Sequence, residues 1–135
     1  MFSEIQAWEK AVTDALGFLP EERLFRFPGG STTCKNEEIE PALAETGLRM
    51  FDWNMVNNDC LLHTRPKDMS AEDYIKDSVI STYKYSLTLK GSPKIVLMHD
   101  TYAETAEFLP WMIEYLTEKG CTFGTLDALP GSWLH

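Results

Sequence analysis

Positive charge is scarce in this chain: 12 Lys and Arg stand against 21 Asp and Glu, a formal net charge of −9. No basic stripe forms anywhere, and phosphate backbones are bound through clustered cations, so no nucleic-acid partner is expected. The acidic residues scatter along helical stretches, as in Glu37, Glu38, Glu40 and Glu45 or Glu104, Glu107, Glu114 and Glu118, and read as solvated helix faces. Cysteine is equally sparse. Cys34, Cys60 and Cys121 are odd in number and without close pairs, which argues against a disulfide framework and for free thiols. Cys60-x-x-His63, with Asp59 beside it, has a metal-ligand spacing, but a single pair lacks the second pair that closes a tetrahedral zinc site. The amino terminus, MFSEIQAWEK, lacks the basic region and long apolar stretch of a signal peptide. No run approaches the roughly 18 apolar residues of a membrane span, and no repeat or low-complexity stretch appears.

What is present is enough for one domain. At 135 residues, 44% hydrophobic and 12% aromatic, the chain can build one real core and has no room for two, so residues 1–135 are taken as a single unit. Ser3 with Gln6 forms a capping box ahead of apolar residues at three- and four-residue spacing, which predicts a helix over 3–16. Further helices are expected at 39–45, with Pro41 near the start and Gly47 past the end, and at 70–87, opened by Ser70-x-x-Asp73 with Ile75, Val79, Tyr83 and Leu87 on one face. A last helix over 103–119 stops at Gly120 and is kinked or effectively started by Pro110. Strands are expected at 23–27, 48–56, 94–98 and 121–126. Strands alternating with helices predict an α/β fold with a parallel sheet of about four strands.

Three phrases fall at or just beyond the carboxyl ends of those strands, where parallel sheets keep their chemistry. They are Phe25-Arg26-Phe27-Pro28-Gly29-Gly30, then WNMVNND from Trp53 to Asp59, then KIVLMHDT from Lys94 to Thr101. In this order they resemble the last three of five motifs of the polysaccharide deacetylases of carbohydrate esterase family 4, zinc enzymes that remove acetyl groups from N-acetylated sugar polymers. The first two family motifs, a Thr-Phe-Asp-Asp-Gly strand end and a His-x-x-x-His pair that hold the metal ligands and the base, are absent. The resemblance therefore implies the carboxy-terminal part of a distorted (β/α)-barrel, an architecture that needs roughly 200 residues or more to close. Zinc or another divalent metal is implied for the intact enzyme, and no metal ligand is assigned here.

The resemblance also implies roles. His99 matches the general acid that protonates the leaving sugar amine, a task suited to imidazole; on residue type alone, a strand-end His beside Asp100 reads as a hydrogen-bonded rim residue. Asp59 matches the carboxylate that keeps that acid protonated, and on residue type reads equally as a loop carboxylate capping a turn. Asp52-Trp53 is then not the functional pair. Arg26 matches the residue that hydrogen-bonds the base, and Pro28, Gly29 and Gly30 match the turn whose amide after Pro helps bind the oxyanion. Gly29 stands where the family has Tyr, but an amide donor needs no side chain. Leu97 and Cys60 are assigned to the apolar pocket for the acetyl methyl, with Cys60 in place of the family's Trp.

The implied activity is hydrolysis of N-acetyl groups on N-acetylglucosamine-type glycans such as peptidoglycan or chitin-like chains, with this chain incomplete and inactive alone. Two alternatives stand beside it: a non-catalytic glycan-binding module, and an inert product of a truncated reading frame. Family members work mostly outside the cytoplasm or at the cell wall, so an export signal belongs to the missing front. Too few strands to close a barrel leave an open, apolar sheet edge, which predicts a homodimer.

Overall fold

The computed structural model describes residues 2–33, 41, 43 and 45–134. The helix expected at 39–45 lies largely outside them, as does Cys34. Helix α1 spans Phe2–Leu16 and ends in Gly17, whose φ of 80° only glycine adopts cheaply. Because the helix already includes Phe2, Ser3 lies within it rather than capping it. Its buried contact is Ile5, which joins Phe27, Leu43, Leu48 and Met50 in one apolar cluster.

The sheet is built from short parallel ladders. Strand β1 (Leu24–Phe25) pairs with β2 (Arg49–Met50), and β3 (Met55–Val56) pairs with β4 (Val96–Leu97). The stretch read as one strand over 48–56 is thus two strands with different neighbours. On its other side β2 leads to Phe51, which bridges to Trp133, with Trp133 N–H donating to Met50 O at 2.7 Å and Asp52 N–H to Trp133 O at 2.8 Å. The break falls at Asn54. Its side chain stands in for a ladder residue, donating to Pro93 O at 2.7 Å and accepting from Ile95 N–H at 2.9 Å, and so hands the chain over to β4.

Helix α2 (Ala71–Ser86) begins as its sequence dictates: Ser70 Oγ accepts from Asp73 N–H at 3.0 Å. Ile75, Val79 and Tyr83 are buried on the expected face, but Leu87 caps the helix in solvent. Helix α3 (Ala103–Glu118) runs through Pro110 and closes on Gly120 at φ 79°, with Cys121 N–H bonded to Leu116 O at 3.0 Å. Met55, Val79, Tyr83, Met112 and Leu116 form the second apolar cluster between β3, α2 and α3.

The strand expected at 121–126 is not formed. After the Gly120 turn, residues 122–125 are exposed and find no strand to pair with; a short 3₁₀ turn follows at Leu126–Ala128, and the chain rejoins the sheet only at Trp133. Among the described residues the strands form two separate two-stranded parallel ladders rather than one sheet of about four strands, and with the helices between them they keep the partial, barrel-like α/β class read from the sequence.

Candidate functional site

Two small clusters gather the residues of the three phrases. The first is built around Asp59, which opens the 3₁₀ helix Asp59–Thr64 just after Asn58, a left-handed residue at φ 55°. Asn tolerates that conformation, and it turns the chain sharply beyond β3. Asp59 is 1% exposed. Its Oδ1 meets His99 Nδ1 at 2.7 Å and accepts from Cys60 N–H at 2.7 Å; its Oδ2 accepts from His99 N–H at 2.7 Å and Thr105 Oγ1–H at 2.6 Å. All four lone-pair directions of the carboxylate are used. His99 lies two residues past β4, its side chain 40% exposed. With Nδ1 on the carboxylate, Nδ1 carries the proton and Nε2 is the ring atom left to face a ligand.

Burial raises the Asp59 carboxyl, but bonds from the Thr105 hydroxyl, the His99 amide and ring and the Cys60 amide outweigh it, and its pKa lies below the ordinary carboxylate value. A carboxyl depressed in the folded state stabilises the protein fully above its unfolded pKa of about 3.9 and loses that contribution as pH falls through the folded value. With chelator present, denaturant midpoints measured from about pH 6 down to pH 3 should therefore fall more steeply for the natural chain than for Asp59→Asn. Parallel curves would show that Asp59 contributes nothing to acid sensitivity.

Asn57 and Thr105 complete this cluster: Asn57 Nδ2 donates to Thr105 Oγ1 at 3.3 Å, and Asn57 Oδ1 accepts from Asp59 N–H at 3.3 Å. Neither was singled out in the sequence. Asn57 lies inside WNMVNND, but Thr105 sits on α3, 46 residues away from Asp59 in sequence, with no motif around it.

The second cluster holds the Pro-Gly-Gly turn. Gly29 and Gly30 have φ of 74° and 89°, and a Cβ on Gly29 would lie 2.9 Å from Thr33 Cγ2, one on Gly30 3.1 Å from the Trp53 ring. Both positions therefore demand glycine. Buried Asp52 clamps the turn through Ser31, accepting from its N–H at 2.9 Å and from its hydroxyl. Among the described residues the Gly29 N–H meets no acceptor. Arg26 lies 5.4 Å over the Trp53 ring and donates Nε–H to Phe51 O at 3.1 Å. Burial lowers the guanidinium from its ordinary value, and the Asp52 charge opposes that shift.

The implied roles would place Arg26 in one site with Asp59 and His99. Arg26 and Pro28 also line a cavity of about 680 Å³ together with Ile5 and Trp8 of α1 and Leu24 of β1, and neither Asp59 nor His99 is among its lining residues. Hydrogen bonds thus tie His99, Asp59 and Cys60 together with Thr105, while Arg26 and the Pro28-Gly29-Gly30 turn are held through Phe51, Asp52 and Trp53. Leu97, in β4, is two residues from His99 and so shares its side of the extended chain.

No protein-family profile matches the chain. It is similar to a peptidoglycan-N-acetylglucosamine deacetylase of Bacillus cereus, 24% identical over 121 residues that make up 90% of this chain and 41% of that protein. Among solved structures it is similar to a polysaccharide deacetylase from Bacillus cereus with a TM-score of 0.72 and 24% identity, over 97% of this chain and 60% of the other. The chain therefore has the fold of part of a polysaccharide deacetylase, and the likeness to such proteins is seen in sequence and in architecture alike. It spans less than two thirds of either relative.

The family's metal centre does not fit the residues present. Histidines occur at 63, 99 and 135 and form no His-x-x-x-His pair. Among the described residues the donor group within reach of one ion is Asp59, Cys60 and His99. His63, the partner that spacing suggested for Cys60, is exposed and outside that group.

Proposed function

We propose that this chain supplies the proton-delivering side of a glycan N-deacetylase site. The observation that carries this reading is the 2.7 Å contact between His99 Nδ1 and the buried carboxylate of Asp59. Asp59 is fixed by three further donors, so it holds the imidazole in one tautomer and orientation. Nε2 is the ring atom left over, and in the imidazolium it carries the proton that a leaving amine would take. The Gly29 amide, held by a turn only glycine can make, is the candidate oxyanion donor, and Leu97 and Cys60 form the apolar side that meets an acetyl methyl. Arg26, stacked on Trp53, orients groups at the Pro-Gly-Gly end. The similarity to a peptidoglycan-N-acetylglucosamine deacetylase makes N-acetylglucosamine-containing polymers the substrate class, at the cell wall or outside the cytoplasm. No helix among the described residues is long and apolar enough to cross a membrane.

The chain offers neither the family's metal ligands nor its base, so acetate release from acetylated chitooligosaccharides should stay at background. Binding is the sharper test. Saturable binding of N-acetylglucosamine oligomers, weakened at least about tenfold by His99→Ala, supports the reading. Binding unaffected by His99→Ala, with chelator present, points to a glycan-binding module that does not use this site. Absence of binding at millimolar oligomer removes the glycan reading.

We also infer self-association. Leu24, Trp8, Leu16, Phe18 and Leu19 are exposed on or near α1 and β1, and among the described residues β1 pairs with β2 alone, so apolar surface adjoins a sheet edge. Sedimentation equilibrium at micromolar concentration should report a dimer of about twice the 15.4 kDa chain mass. A monomer across that range would contradict it.

A further inference from the structure

We propose that Asp59, Cys60 and His99 form a binding site for a thiophilic divalent cation of the zinc type. One donor atom from each residue lies within 4.8 Å of the other two. Two of the residues are adjacent at the start of the 3₁₀ helix and the third arrives from the end of β4, so the pairing of β3 with β4 sets their separation. Cys60 is a free, half-buried thiol, and its own N–H, bonded to Asp59 Oδ1, fixes the backbone that carries it.

The donor set selects the ion. A thiolate with an imidazole suits Zn²⁺ or Co²⁺, whereas Mg²⁺ and Ca²⁺ want oxygen ligands. Thiolate and carboxylate together cancel the two positive charges, so the bound site is formally neutral, as the burial of Asp59 requires. The proton balance is simple. The thiol releases one proton to solvent, and the neutral imidazole moves its proton from Nδ1 to Nε2, freeing the Nδ1 lone pair. Asp59 gives up only its bond to that ring proton; Oδ2 keeps the Thr105 hydroxyl and the His99 amide, which then support the ligand carboxylate from outside. Three protein ligands leave a position open to water or an anion. This site does not depend on the deacetylase reading. A bound cation takes Nδ1 away from the carboxylate and so suspends the pairing on which the proton-donor role rests.

The test is a Co²⁺ titration of the reduced full chain after removal of metal by chelation. The expected result is a sulfur-to-cobalt charge-transfer band that saturates at one equivalent and is bleached by Zn²⁺. Cys60→Ser should abolish the band, His99→Ala should weaken binding at least about tenfold, and Cys121→Ser should leave it unchanged. A second measurement avoids any folding defect of a variant. In the unmutated chain, saturating Zn²⁺ should slow alkylation of Cys60 at least about tenfold while Cys121 reacts as before. The proposal is overturned if no saturable band appears, if the band survives Cys60→Ser, if His99→Ala binds as tightly as the natural chain, or if Zn²⁺ leaves Cys60 alkylation unchanged.

Discussion

Replacing Asp59 by Ala is expected to cost about 3–5 kcal/mol of folding stability, a large part of what holds a domain of this size together. The carboxylate is 1% exposed and takes four hydrogen bonds: from Cys60 N–H, His99 N–H, the Thr105 hydroxyl and the His99 ring. A methyl group in its place leaves those donors facing one another without an acceptor. Each buried unsatisfied donor costs on the order of 1–3 kcal/mol, while His99, partly exposed, can turn to water. Asp59→Asn should recover only part of the loss, because its amide group puts hydrogens where two donors already point. Urea denaturation of the three proteins is the measurement. A loss under about 1 kcal/mol for Asp59→Ala would mean that the cluster is a surface turn, with no stake in the fold.

Met55→Ala is expected to be similarly damaging, at about 2–5 kcal/mol. Met55 is 0% exposed, at the strand that pairs with β4 on one side and packs against Val79, Tyr83, Met112 and Leu116 on the other. Its loss opens a cavity shared by β3, α2 and α3, which the helices can close only by moving off the sheet. The same shift would carry Thr105 of α3 away from Asp59. The signature that separates this from a local cavity is loss of the folded-state dispersion of the Thr105 and His99 amides in spectra of the variant at low denaturant. If denaturation shows less than about 1 kcal/mol, the second cluster is loosely packed and Met55 is not its centre.

The helices were legible because their signals are local. α1 shows in the three- and four-residue spacing of Ile5, Trp8 and Val12, and α2 in the Ser70 cap with Ile75, Val79 and Tyr83. The sheet was legible in class but not in detail. The apolar-rich stretch from Leu48 to Val56 reads as one strand, yet whether it is one strand or two depends on its neighbours, Trp133 and Ile95, which the stretch itself cannot specify. Residues 121–126 have strand-like composition, but a strand exists only where a partner offers a ladder, and none of the described residues does. The end at Gly120, by contrast, was set by a left-handed turn that only its own residues decide.

The site divides in the same way. His99, Asp59 and the Pro28-Gly29-Gly30 turn stand in ordered motifs, and His99 and Asp59 are brought to 2.7 Å. Thr105 carries no local signal, since a threonine inside AETAEF differs in nothing from a surface helix residue until α3 is packed against β3. Cys60 was paired on paper with His63, three residues on, because spacing in the chain is all that a sequence offers. The turn of the 3₁₀ helix leaves His63 exposed, while strand pairing brings His99 across 39 residues instead. For Arg26 the sequence offered a motif position but not its neighbours, the Trp53 ring and the Asp52 charge.

The central claim is that the His99–Asp59 pair and the Gly29 amide meet an N-acetylated sugar. Proton–nitrogen correlation spectra of the nitrogen-labelled chain, recorded during titration with N-acetylglucosamine oligomers in chelator, test it most directly. The account predicts saturable shifts of the His99 ring nitrogens and the Gly29 amide with one common affinity, both lost in Asp59→Asn. Shifts confined to exposed tryptophans such as Trp8, with His99 and Gly29 unmoved at saturation, would contradict it.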